Sequence, residues 1–134
     1  MKRFSYQTDK HSDMIEITDD LHEWVQSEGF TNGVLTVFNL HTTAGITINE
    51  NATPDVKTDF LRRMNETFPW HDDNDRHGEG NSAAHMKAST VGASETLLVE
   101  GGKLVLGTWQ GVYFCEFDGP RRARTVVASF QAER

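Results

Sequence analysis

A single cysteine among 134 residues leaves no partner for an intrachain disulfide. Cys115 stands inside an apolar run, as a buried and inert thiol does in a reducing cytoplasm. Long apolar runs are missing too. No stretch approaches the ~18 residues of a membrane span, and the leading MKRFSYQTDK lacks the apolar core of a signal peptide, so a soluble cytoplasmic chain is expected. Positive charge is scarce: 13 Lys and Arg face 20 Asp and Glu, for a net charge of −7. With no global field to draw a phosphate backbone, nucleic acid is not an expected partner. The absence of a GxSxG elbow argues against a serine hydrolase, and the absence of GxGxxG or GxxxxGKS argues against a nucleotide-binding fold. Neither repeats nor low-complexity tracts occur. The length suits one core, hence a single domain over 1–134.

What is present alternates regularly. Arg3 to Thr8 and Asp13 to Thr18 read as short strands. Thr18 offers an N-cap to a helix carrying Leu21, Trp24 and Val25, with Gly29 as its stop. Val34 to Leu40 and Ile46 to Ile48 are strands on either side of His41. Thr53 and Pro54 open a second helix with the stripe Val56, Phe60, Leu61 and Met64, ending near Pro69. Trp70 to Gly80 is a loop by composition, followed by a short helical turn through Ala83, Ala84 and Met86. From Glu95 the chain is a meander: Thr96 to Val99, Lys103 to Leu106, Gln110 to Phe117 and Arg124 to Gln131. Consecutive apolar residues at Tyr113, Phe114 and Cys115 imply a strand covered on both faces, by a second sheet or by another subunit.

Six histidines are the first chemical signal. His11 and His22 sit where an exposed ring is the better reading, and His71 on the polar loop leans the same way. His41 ends an apolar strand, and His77 and His85 flank a glycine-containing loop. These three are the candidate metal ligands. On one continuous helix, eight residues would separate His77 from His85 by ~12 Å and rotate them by about 80°. Only a folded-back loop, as Gly78 and Gly80 permit, brings both to one ion. Spacing alone leaves metal binding balanced against structural histidines. The chemistry in view is Zn²⁺ with three imidazoles, or with His and a carboxylate such as Glu50 or Glu79, keeping a position for water.

Hydroxyls and amides at Thr42, Thr43, Asn49 and Asn51 adjoin this set. Lys87, Ser89 and the cluster Arg121, Arg122 and Arg124 suit phosphate. Arg124, expected to open a strand, is the preferred phosphate contact of the cluster, although arginines beyond a Gly-Pro turn equally form surface ion pairs. Trp109 is more readily core packing than a wall against a planar ring.

The segments HTTAGITINENATPDV, HGEGNSAAHMKAS with Gly92 and Ser94, and GTWQGVYFCEFDGPRRARTVV together resemble the YjbQ family of secondary thiamine-phosphate synthase-like proteins. The resemblance spans nearly the whole chain. It implies an α+β fold, a mixed β-sandwich with two main flanking helices, assembled as a homotrimer with sites near subunit boundaries. It further implies that His41, His77 and His85 surround a metal-binding active site. The implied activity joins an aminopyrimidine diphosphate to a thiazole phosphate with loss of pyrophosphate, as a side activity. Thr53 departs from the family's usual Asp, and the loop before His85 is shortened.

Three functions follow from these residues. The first is that metal-dependent transferase, with Thr42, Thr43, Asn81, Lys87, Ser89, Trp109 and Arg124 holding a small phosphorylated substrate and Asn49, Glu50 and Glu79 as catalytic groups. The second is a metal-dependent hydrolase with Glu50 or Glu79 as general base. The third is a trimeric metal- or anion-binding protein without turnover. Three neutral imidazoles suit Zn²⁺, whereas a diphosphate suits Mg²⁺.

Overall fold

The computed structural model describes all residues from 1 to 134. The elements run β1 (Lys2–Thr8), β2 (Asp13–Glu16), α1 (Thr18–Ser27), β3 (Gly33–Asn39), β4 (Ala44–Glu50), α2 (Pro54–Thr67), α3 (Ser82–Val91), β5 (Ser94–Glu100), β6 (Lys103–Leu104), β7 (Gln110–Glu116) and β8 (Arg121–Ala132). One sheet has the order β1-β8-β3-β5-β6 and the other β2-β7-β4. The fold is α+β, a sandwich of two sheets. Its ladders are antiparallel throughout rather than mixed. A parallel pair needs a crossover returning to the same sheet, and here α2 and α3 carry the chain from β4 in one sheet to β5 in the other.

Two cores share one strand. Leu35, Val37, Leu97 and Val126 of the larger sheet meet Ile46, Val112 and Phe114 of the smaller one, with Leu21, Trp24 and Val25 of α1 completing the cluster. Tyr113, Cys115 and Phe117 point the other way, to Met14, Ala84 and Ala88 and to the apolar stripe of α2 at Phe60, Leu61 and Met64. Successive β7 residues thus enter opposite cores, which is why YFC is an unbroken apolar run. Sheet and helices of the same chain cover both faces. The outer face of the larger sheet is the uncovered one: Val34, Phe38, Leu98 and Val105 there are between 37 and 56% exposed.

Several local expectations shift. Thr18 is the first residue of α1 instead of its cap, because its hydroxyl donates to Glu16 Oε2 (2.8 Å) and accepts the Val112 N–H (2.9 Å). Thr53 holds the N-cap position of α2 without a side-chain cap bond. The turn at Ala83 is the start of a ten-residue helix, α3. Strand β8 begins at Arg121, so Arg124 lies inside it. Trp109 is 64% exposed, not core.

Candidate active-site cleft

Strand β3 stops at Asn39, whose buried side chain organises the turn that follows. Its Nδ2 donates to the carbonyls of His41 (2.8 Å) and Ala44 (2.7 Å), and its Oδ1 accepts the His41 N–H (3.1 Å). This fixes His41 at the rim of a cleft of about 430 Å³. The far wall comes from the loop and first turn of α3, with His77, Glu79, Asn81 and His85, and the floor from β8 with Arg121 and Arg124. A second cavity of about 520 Å³ shares His41, Thr42 and His85 and continues along α3 past Ala88 and Ser89 to Gly92. The His77 and His85 rings stand edge to face with centroids 5.1 Å apart.

Beneath the cleft lies a buried ion pair. Glu116 is fully buried and Arg124 is 4% exposed. Arg124 Nε donates to Glu116 Oε1 (2.8 Å) and its Nη2 to Glu116 Oε2 and to Thr43 Oγ1 (2.9 Å). Thr8 Oγ1 and the Asp118 N–H complete the carboxylate shell at 2.7 and 3.1 Å. Burial alone would raise the Glu116 pKa, but these hydrogen bonds and the Arg124 charge hold it below the usual glutamate value. Burial, then the Arg124 charge, lower the His41 pKa, so the ring is neutral at pH 7. Its Nε2 accepts the Thr125 N–H (2.8 Å). Arg121 pairs with Asp118 (3.0 Å) and keeps about half of its side chain exposed at the mouth. Asn81 is 94% buried (6% exposed); its Nδ2 donates to Asp118 (2.8 Å), while Oδ1 has no partner.

The sequence model of the family described as UPF0047 protein YjbQ-like matches residues 2–133. The chain belongs to the YjbQ family. The UPF0047 protein YugU of Bacillus subtilis is 58% identical to it over 121 residues, covering 90% of this chain and 92% of that protein. The UPF0047 protein MJ1081 of Methanocaldococcus jannaschii is 46% identical, covering 92% and 91%. A crystal structure of a YjbQ/UPF0047 family protein from Clostridium acetobutylicum superposes with a TM-score of 0.94 at 47% identity, over 98% of this chain and 100% of that one. The family fold is therefore directly represented among crystal structures.

In this YjbQ-family chain the cleft gathers His41, His77, His85, Glu79, Asn81, Thr42, Thr43, Arg121 and Arg124, and Ser89 borders the adjoining cavity. Other candidates lie elsewhere. Lys87, on α3, is 1% exposed, bonded to Asn65 of α2 and 5.9 Å from the Phe117 ring centroid, so its ammonium clamps helices and does not line the cleft. Asn49 and Glu50 close β4, and six steps of strand from Ala44 to Glu50 place Glu50 about 20 Å from the His41 end. Trp109, whose carbonyl accepts the Asn51 N–H, stands at that far end as well. Within one chain, none of these three meets the histidines. Arg124 is in place, with Nε and Nη2 engaged by Glu116 and Thr43 and with Nη1 making no hydrogen bond within the chain; Arg121 is the more exposed cation, at the mouth.

The donor set fits a divalent ion in part. His77 and His85 pair closely enough to serve as two imidazole ligands, yet no group of three His, Cys, Asp or Glu side chains converges. Sequence reading passed over Glu116 and Asn39. Each had a signal: a lone carboxylate within YFCEF, and an amide closing VLTVFN.

Proposed function

We propose that this cleft is the active site of a metal-assisted transferase of the secondary thiamine-phosphate synthase type, joining an aminopyrimidine diphosphate to a thiazole phosphate with loss of pyrophosphate. The observation that carries the reading is the opposition, across one cleft, of the His77 and His85 pair and the exposed Arg121. His77 and His85 would hold the ion, Zn²⁺ by donor type or Mg²⁺ by substrate type. A bound divalent ion supplies charge neutralisation to the departing pyrophosphate. Arg121 meets phosphate oxygens at the mouth, and the adjoining cavity beside Ala88 and Ser89 has room for a ring.

One observation favours a second reading. Glu79 is the only carboxylate lining the cleft, the place a metal-dependent hydrolase needs its general base. Purified protein given both substrates and Zn²⁺ or Mg²⁺ should release pyrophosphate only when the thiazole phosphate is present, and His85→Ala should abolish release. Release without the second substrate favours the hydrolase, and no release with measurable ligand binding favours a non-catalytic binder. The apolar outer face of the larger sheet supports assembly as a homotrimer, and the buried thiol suits a cytoplasmic setting. Light scattering that gives a monomer mass at micromolar concentration refutes the trimer.

A further inference from the structure

We propose that His41 faces the cleft as a fixed hydrogen-bond donor through Nδ1–H, for an acceptor oxygen of the bound molecule, and is not a ligand to the ion. The proposal rests on the site proposed above and departs from treating the three histidines as equivalent.

The argument is one of valence. A neutral imidazole has a single nitrogen with a free lone pair, and in His41 that nitrogen is Nε2, because Nε2 accepts the Thr125 N–H at 2.8 Å. The proton therefore sits on Nδ1, which makes no hydrogen bond within the chain. To ligate a metal, Nδ1 must give up this proton, and the neutral ring must then carry it on Nε2. That would set two N–H groups head to head and leave Thr125 without an acceptor. Leaving a backbone donor unpaired at a partly buried position opposes that tautomer.

The topology explains why the ring holds this place. The β3–β8 ladder runs as far as Asn39 opposite Val126. Leu40 N–H still reaches the Thr125 carbonyl (3.4 Å), but the chain then turns away. The His41 ring supplies the acceptor that the next backbone group of β3 would have provided. Asn39, 3% exposed, holds the His41 N–H and carbonyl and so fixes the backbone from which the ring reaches the Thr125 N–H. His77 and His85 have no such tether. The cleft thus has a donor wall, with His41 Nδ1–H beside Arg121, facing an imidazole pair open to a cation. A ligand bearing an anionic oxygen between the two walls fits both.

Histidine labelled with ¹⁵N, read by long-range ¹H–¹⁵N correlation in the wild-type protein at pH 7.5, should show His41 protonated at Nδ1 and unprotonated at Nε2. This pattern should persist on titration with Zn²⁺ alone. By calorimetry, His41→Gln, which keeps an acceptor near the Nε2 position, should bind Zn²⁺ within about threefold of wild type, whereas His77→Gln should lose about tenfold or more. An Nε2–H tautomer, loss of the Nδ1 proton on adding Zn²⁺, or a tenfold loss in His41→Gln would overturn the proposal. If wild type binds neither Zn²⁺ nor Mg²⁺, the metal-assisted reading fails, and the tautomer alone still decides the role of His41.

Discussion

Removing Arg124 should destabilise the protein far more than it weakens any ligand. Arg124→Met keeps the aliphatic length but strips the Glu116 carboxylate, 0% exposed, of its charged partner and of two of its hydrogen bonds. Breaking a buried pair on one side costs about 3–5 kcal/mol, because an uncompensated charge stays behind. For a chain of this size that is a fall in Tm of roughly 10–20 °C. Glu116→Gln combined with Arg124→Met removes the stranded charge, while the amide oxygen can still accept the Asp118 N–H and the amide NH2 can donate to the Thr8 hydroxyl, so about half of the loss should return. Urea titrations of wild type, single and double variants measure this. The pH dependence has a definite sign. In wild type the Glu116 pKa is held below its usual value, so its contribution is present above the usual glutamate value of about 4.3 and is lost as pH falls through the lower folded value. In Arg124→Met burial is opposed only by the Thr8 and Asp118 hydrogen bonds, so that pKa rises above its wild-type value and the stability gap between the two proteins narrows as pH falls. A single-variant loss under about 1 kcal/mol, or a double variant no better than the single, would refute the buried-pair account.

Gly45→Ala tests how α3 is seated: the added Cβ would lie 2.9 Å from the Gly92 carbonyl and from Val91 Cγ1, pushing α3 and His85 off β4, with an expected cost of about 1–3 kcal/mol by chemical denaturation. Lys87→Met should be at least as stable as wild type at pH 7, since a buried ammonium with one acceptor is exchanged for an apolar stem. Burial lowers the Lys87 pKa, so wild type gains stability as pH rises from the folded value towards the unfolded one of about 10.4, and the difference between the two proteins should shrink over that range. Burial pushes the Cys115 thiol up to about 12, so alkylation at pH 8 should proceed only at the rate of unfolding; fast labelling of native protein would contradict its place in the core.

The strands and the first two helices were legible because their burial is periodic. Leu35, Val37 and Asn39 alternate inward, and Phe60, Leu61 and Met64 form one helical stripe. The covering of β7 was legible as a fact but not as a cause, since YFC reads alike whether the second face meets helices or a neighbouring subunit. The three histidines and Glu79 do share a cleft, as the HTTAG and HGEGNSAAH segments suggested. Asn49, Glu50 and Trp109 group with them in sequence because strand direction is invisible in spacing: β4 begins beside His41 and carries Glu50 away from it. A charge is legible in sequence but its partner is not, so the burial of the Lys87 ammonium and the engagement of Arg124 Nε and Nη2 have no sequence signal. Each partner, Asn65 and Glu116, is fixed only by how elements pack.

Strand β8 is the last element in the chain, yet it is inserted between β1 and β3 and joins Lys2 to Ala128 across nearly the whole sequence. Until it docks, β1 has no strand to pair with, β3 presents a bare edge, the Glu116 carboxylate has no guanidinium and the His41 ring has no N–H to orient it. Sheet completion, charge neutralisation and assembly of the cleft thus coincide in one late event. Pairings this distant close slowly, so refolding belongs in the millisecond-to-second range, with exposed β1 and β3 edges open to association between chains while it proceeds. A competent cleft therefore reports a finished fold.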